Sequence, residues 1–411
     1  MDKNKRLTVW LPVIIAASIA LGIFIGNHYL SISQGKKRSY SSGNKINAIL
    51  DIIDEQYVDT VSMSKLVEST IPKIFSELDP HSVYIPAEDA SVVNEELEGS
   101  FSGIGVSFNM QTDTILVISV ISGGPAEKAG LLPFDRIISI NDSIFSGKKK
   151  NQGEIMKTLR GAKNSTVKLG VQRGNSPELL YFDVTRGDVP VNSVDVSFEA
   201  AKGIGYIKVS KFARNTYNEF ITAIAKLKQA GCTSFVIDLR GNTGGYMDAA
   251  INMINEFMPE GRLIVYTEGK SFPRSDVYAN GTGTCKDAPI VVLTDEISAS
   301  ASEIFSGAIQ DNDRGTIIGR RTYGKGLVQT QMSLSDGSEM RLTIARYYTP
   351  SGRCIQKKYE MGNTDAYDQD IYNRYMHGEF DSADSIKMDD SLKYQTVGGR
   401  TVYGGGGIMP D

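Results

Sequence analysis

The chain has 411 residues, 41 % hydrophobic and 22 % charged, a globular composition with enough apolar material for two or three packed domains. Its formal net charge of −4 offers no basic field and sets nucleic acid aside as a partner. Three cysteines (Cys232, Cys285, Cys354) and three histidines (His28, His81, His377) are too scattered for a disulfide scaffold, a C-x-x-C zinc site or a His-rich metal site.

Lys3, Lys5 and Arg6 precede residues 7–26, twenty residues without a charge, which is the length of a membrane span. This basic cluster competes with Lys36, Lys37 and Arg38 for the inner side and, coming first, leaves the remainder exported. With no small-residue cleavage site after it, 1–30 reads as an uncleaved single-pass anchor in the cytoplasmic (inner) membrane, the rest being periplasmic or extracellular. Such a compartment permits one disulfide, Cys285 with Cys354, and buried free thiols are an equal alternative.

Residues 31–93 read as linker and helical segment. The stretch 31–44 is polar and turn-rich. Ile46, Ile49, Leu50, Ile53 and Tyr57, then more loosely Leu66, Ile71, Ile74 and Phe75, recur at helical spacing and predict two or three short helices.

Over 94–187 the texture changes to short apolar or alternating runs between glycine-rich breaks: ILVISVI (115–121), DRIISIND (135–142) and TVKLGVQR (166–173). A small β-rich module is expected. In SGIGVSF (102–108) a glycine-rich turn leads into a strand; such a turn offers backbone N–H groups to a carboxylate, and a strand edge accepts an extended peptide. Taken alone it is only a tight turn before a strand. Together with GGPAEKAGLLPFDRIISIND (123–142) it resembles a PDZ domain. That resemblance implies capture of a substrate C-terminus by Ser102, Gly103, Ile104, Gly105 and Val106.

From 188 to 360 strands and helices alternate. GIGYIKV is strand-like, Phe220, Ile221, Ile224 and Leu227 form a helical stripe ended by Gly231, SFVIDL (234–239) is a buried-type strand, RGNTGG a turn, 247–257 helical, and PIVVLTD (289–295) a further strand. This order implies parallel strands with crossover helices, an α/β core. In the following ISASASEIFSGAIQD (297–311), Ile297, Ala301, Ile304, Phe305 and Ala308 share one helical face. The helix therefore starts near Ser298–Ser300, at a strand end where α/β sheets meet ligands. Ser300 and Glu303 match S-x-x-E, a capping box; capping and nucleophilic chemistry compete for the same serine.

A nucleophile needs a base, and the histidines are poorly placed: His81 lies far upstream, His377 in a charged tail, and there is no G-x-S-x-G elbow. A desolvated lysine remains. Lys325, in RRTYGKGLVQTQMSL, has glycines on both sides and Gln329 four residues on, a neutral amide able to orient an amine without holding it charged. GRRTYGKG (319–326) also matches most of a Walker A loop but ends in Gly, and a strand rather than a helix is expected after it.

SASASEI (298–304), DLRGNTGG (238–245), YGKGLVQ (323–329) and LDPHSVY (78–84), arranged around the PDZ-like module, resemble the carboxyl-terminal processing proteases, the tail-specific serine peptidases of family S41. The resemblance spans about 45–360. It implies Ser300 as nucleophile, Lys325 as general base, Gln329 holding the lysine amine, and an oxyanion hole from the N–H groups of Ala301 and a glycine of RGNTGG, foremost Gly244. It also implies a core like that of the Clp protease and crotonase folds, a PDZ domain that binds apolar substrate tails and controls access, and no metal or cofactor. Asp311 matches a family position and is expected to be structural. Whether a homo-oligomer or an activating adaptor takes part is left open.

Residues 361–411 are rich in charge and end in a glycine-rich stretch, which suggests solvated helix or loop rather than core. Two rival readings stand beside the protease: a catalytically inactive PDZ-bearing adaptor, and a crotonase-like acyl enzyme, for which a PDZ module has no evident use.

Overall fold

The computed structural model describes residues 16–23, 42–111, 114–144 and 152–411. Two compact units divide the chain between Thr70 and Ile71. In the first, 16–23 form helix α1 and α2 spans Ser42–Gln56; α3 (Met63–Phe75) runs across the division. No helix among the described residues is long and apolar enough to cross a membrane, and most of the expected anchor lies outside those residues.

In the second unit β1 (Val83–Ile85) and α4 (Ala87–Glu98) lead into β2 (Ser100–Gly103). β2 pairs antiparallel with β9 (Gly187–Pro190), so the β-rich module leaves the chain at the point where it enters, as an inserted domain does. Between them β3 (Val106–Gln111), β4 (Thr114–Val120), β5 (Arg136–Ile140), β7 (Thr166–Gln172) and β8 (Leu180–Thr185) form an antiparallel sheet in that order, with β6 (Ser143–Ile144) on β5. The helices here are α5 (Pro125–Ala129) and α6 (Gln152–Leu159). Alternation explains the sheet: Ile115 and Val117, then Val167, Leu169 and Val171, turn to one face and are buried with Ile155 and Leu159 of α6. β3 is an edge strand whose one strand neighbour among the described residues is β4.

The α/β core comprises β10 (Val194–Ala201), β11 (Ile204–Val209), α7 (Thr216–Gln229), β12 (Ser234–Asp238), α8 (Met247–Asn255), β15 (Ile290–Thr294), α9 (Ala301–Asp311) and β16 (Thr316–Gly319). Its sheet runs β10-β11-β12-β15-β16. β10 is antiparallel to β11, and the other pairs are parallel, as alternation of strand and helix requires. Phe220, Ile224 and Leu227 of α7 pack with Met253 and Ile254 of α8 and with Ile304, Phe305 and Ala308 of α9. Phe257 meets Phe220, Phe235 and Phe305 edge to face, at 6.2, 6.3 and 6.5 Å between centroids, and burial of each such ring contributes about 1.5–3 kcal/mol.

A second sheet runs β1-β18-β13-β14, with β17 on β18; its strands are β13 (Leu263–Glu268), β14 (Ser275–Tyr278), β17 (Leu327–Ser333) and β18 (Glu339–Tyr348). Lys325 is therefore followed by a strand, which removes the phosphate-binding loop as a reading of GRRTYGKG. Because β1 pairs with β18, the LDPHSVY turn comes to the same sheet as Lys325.

Two expectations are corrected. Helix α9 begins at Ala301, so Ile297, expected on its apolar face, lies in the turn before it and is exposed; every residue of the helix is buried, so its polar side must be paired internally. Nor is the tail simply solvated. After α10 (Asp365–Asp368), α11 (Asp370–Met376) and the hairpin β19 (Lys393–Gln395) and β20 (Thr401–Tyr403), Ile408 is fully buried. The tail covers the open side of β16: the Asp411 carboxylate accepts from the Ile317 N–H at 2.8 Å, and the Asp411 N–H donates to the Ile317 carbonyl at 2.9 Å. The three cysteines are free thiols.

Candidate active site

The loop after β15 is folded by Asp295, whose carboxylate accepts from the N–H groups of Ile297 (3.1 Å) and Ser298 (3.0 Å) and from Gly241 of RGNTGG (3.0 Å). Ser298 is consumed structurally, its hydroxyl donating to the Leu239 carbonyl at 2.8 Å. Ser302 likewise donates to the Asn242 carbonyl at 2.9 Å. Ser300 differs from both. It holds φ 56° and ψ −112°, a left-handed conformation that costs a non-glycine residue about 1–3 kcal/mol and persists only where surroundings enforce it.

The enforcement is visible. The Ser300 N–H donates to the Glu303 carboxylate at 2.9 Å, and the Ser300 carbonyl accepts from the buried Tyr347 hydroxyl at 3.1 Å. The capping box of S-x-x-E is thus present, with its glutamate half closed. The Ser300 hydroxyl makes no cap hydrogen bond, and the Glu303 N–H donates to the Ser300 carbonyl at 2.9 Å. Backbone clearance comes from Gly244, at φ +105°, packed directly on Ser300.

Lys325 reaches the same cleft, a space of about 840 Å³ also lined by Ser300, Gly244, Ala301, Gln329 and Arg341. Its Nζ donates to Gln329 Oε1 at 2.9 Å, and Gln329 Nε2 donates to the His81 carbonyl. An amide anchored by its nitrogen must present its oxygen to the lysine, so the LDPHSVY turn sets the amide's orientation. Asp79 braces that turn by accepting from the His81 N–H (3.0 Å), the Ser82 hydroxyl (2.6 Å) and the Thr343 hydroxyl (2.9 Å). Burial pushes the Lys325 amine below the usual lysine range and the nearby Arg341 adds to this, while Glu303 and Asp79 oppose it. The His81 ring, desolvated and facing Lys325, falls to about 4; it is neutral at neutral pH, and its Nε2 is paired with the Tyr367 hydroxyl at 2.7 Å.

Of the expected oxyanion donors, the Ala301 N–H, at the first turn of α9, has no hydrogen-bond partner among the described residues. The Gly244 N–H instead donates to Asn242 Oδ1 at 2.9 Å. It can serve an oxyanion only by sharing or exchanging that bond. Asp311 lies away from the cleft, fully buried and paired with Arg353 at 2.7 Å.

In the β-rich module Ser102 and Gly103 belong to β2 and Val106 opens β3. The Ile104 carbonyl accepts from Ala126 at 2.7 Å and the Gly105 carbonyl from Ile121 at 3.0 Å. The N–H groups of Ile104 and Gly105 have no partner among the described residues. Two unpaired amides next to the edge strand β3 suit a peptide carboxylate.

Sequence reasoning missed two parts of this site. Tyr347, which hydrogen-bonds the carbonyls of both Ser300 and Lys325, sits in a strand with no local signal. Glu303 was visible only as half of a capping box.

Residues 203–365 match the model of peptidase family S41, and 102–195 match a PDZ domain. The carboxy-terminal processing protease CtpB of Bacillus subtilis (strain 168) is 35 % identical over 318 residues, covering 77 % of this chain and 66 % of that protein. A probable CtpA-like serine protease of Staphylococcus aureus (strain N315) is 33 % identical over 365 residues, covering 87 % of this chain and 72 % of the relative. This chain thus spans roughly two thirds of the length of these relatives. It belongs to peptidase family S41, with the PDZ-bearing carboxy-terminal processing serine proteases.

Proposed function

We propose that this chain is a membrane-anchored serine endopeptidase that takes exported proteins by apolar C-terminal tails and cleaves them through Ser300 and Lys325. One observation carries the reading: Ser300, on a left-handed turn at the start of α9, shares a cleft with Lys325, whose amine is held by a neutral amide and lowered in basicity by burial. The uncharged run 7–26 supports the anchor, and the free amides of Ile104 and Gly105 support tail capture.

The chemistry follows from the groups present. Neutral Lys325 takes the Ser300 hydroxyl proton as Oγ bonds to the scissile carbonyl carbon, and the negative charge on the carbonyl oxygen is met by the Ala301 N–H at the helix start. As the C–N bond breaks, the lysine ammonium returns the proton to the departing amine. Water then gives a proton to Lys325 and attacks the ester. The Lys325 proton passes to Oγ as the C–O bond breaks, restoring both groups. Gln329 keeps the amine placed without the carboxylate that would hold it charged.

Mass spectrometry of products from a substrate with an apolar tail, wild type beside Ser300→Ala, tests this. Discrete internal cleavage that vanishes in the variant, with tail binding intact, is expected. Tail binding with no cleavage by wild type would make the protein an adaptor.

A further inference from the structure

The Glu303 carboxylate is fully buried and no step of the proposed chemistry uses it. Four donors converge on it. Oε1 accepts from the Thr322 hydroxyl at 2.5 Å and the Gly324 N–H at 2.7 Å; Oε2 accepts from the Lys325 N–H at 2.8 Å and the Ser300 N–H at 2.9 Å. Two of these amides belong to Ser300 and Lys325 themselves. A cap needs only the bond to Ser300; the other three lie 19 to 22 residues further on and have nothing to do with starting a helix.

Building on the Ser300 and Lys325 assignment, we propose that ionised Glu303 is the positioning residue that joins the nucleophile's turn to the base's loop, so that the site is assembled only when this carboxylate carries its charge. Stereochemistry argues for the ionised form. A carboxylate only accepts, with room for four donors, whereas a protonated carboxyl carries an O–H that must face one of them. Three of the four donors are backbone N–H groups that cannot accept that O–H, and the Thr322 hydroxyl can take it only by reversing its own bond; protonation therefore turns charge-assisted bonds between the two catalytic segments into weaker neutral ones. Burial opposes the charge, and the four hydrogen bonds counter it only in part, leaving the group near neutrality, raised to about 7.

The sign follows: Glu303 is ionised and the junction complete above that range, and the junction loosens as pH falls through it. The titratable groups facing it are the Lys325 amine, the phenols of Tyr323, Tyr347 and Tyr367, and the Cys354 thiol. The phenols and the thiol are raised by burial and stay neutral around pH 7. Lys325, lowered by burial, is the other group here that must lose a proton for activity. Wild type should thus lose activity on the acid side through Glu303 as well as through Lys325. Thr322 ties the tail into this junction, since its hydroxyl also accepts from the Ile408 N–H at 2.6 Å.

The test is the pH profile of kcat and KM on a tail-bearing peptide, from pH 5 to 9, for wild type, Glu303→Gln, Thr322→Val and Thr322→Ser, with folding checked by thermal melting. Glu303→Gln should lower kcat about 10- to 100-fold at pH 8 with KM within about twofold, and its acid limb should follow one proton. Thr322→Val removes a donor from the carboxylate, so its acid limb should move to higher pH, while Thr322→Ser keeps the hydroxyl and the wild-type profile. An unchanged limb in both Thr322→Val and folded Glu303→Gln would overturn the proposal. Should Glu303→Gln fail to fold, the contrast between Thr322→Val and Thr322→Ser decides alone. Wild type that cleaves nothing at any pH refutes the Ser300 and Lys325 reading instead.

Discussion

Gly244 and Ser300 meet with no room for a methyl group between them: a Cβ on Gly244 would lie 2.7 Å from Ser300 Cβ and 2.8 Å from the Ala299 carbonyl oxygen. Neither neighbour can retreat, because Ser300 is already strained and the Ala299 N–H is tied to the Asn242 carbonyl at 3.0 Å. Gly244→Ala should therefore displace the serine turn. At least a hundredfold loss of peptide cleavage is expected, with about 1–3 kcal/mol of destabilisation from overpacking, read by initial rates and by urea denaturation.

Burial, and after it Arg341 across the cleft, disfavour the charged form of Lys325. The Arg341 charge disfavours a second cation, so it acts with burial to lower the Lys325 amine. Arg341→Gln removes that repulsion, the ammonium becomes easier to hold, and the amine titrates at higher pH. The acid limb of the rate should move upward, whereas a downward shift would contradict Lys325 as the group observed.

Arg353 and Asp311, both fully buried, bind each other at 2.7 Å, and Arg353 also donates to Gln310 Oε1 (2.7 Å) and to the Tyr403 carbonyl (2.8 Å). This pair holds the tail hairpin against the end of α9. Removing one partner strands the other's charge, so Arg353→Ala should cost about 3–5 kcal/mol, measured by chemical denaturation. Exchanging both for apolar residues should cost less.

The amides of Ile104 and Gly105 predict that capture depends on a free terminal carboxylate. A peptide ending in apolar residues should bind the full chain at least about tenfold more tightly with its α-carboxylate than as the C-terminal amide, since hydrogen bonds to a charged acceptor are worth about 1.5–3 kcal/mol. Fluorescence anisotropy with the paired peptides reads this directly.

Much of the site was legible because it is carried by local pattern. Helical phasing located Ser300 at a helix start after a buried-type strand, and the spacing of Lys325 and Gln329 survives as a hydrogen bond within four residues. What escaped is carried by distance. The other donors to Glu303 come from another loop, the Gln329 anchor is a backbone carbonyl at His81, and Tyr347 answers to both reactive segments from β18. The tail was misjudged for a related reason. Its glycine-rich run has no period to betray burial, yet its backbone follows the core closely, the Gly407 N–H donating to the Ile355 carbonyl at 2.8 Å.

The central claim, that Ser300 is a nucleophile activated by Lys325, is most directly tested by peptide mapping after reaction with a fluorophosphonate at pH 8. One modified residue, Ser300, is expected in wild type, with labelling lost in Ser300→Ala and slowed at least about a hundredfold in folded Lys325→Ala. Modification at another serine, or undiminished labelling of Ser300 without Lys325, would contradict it.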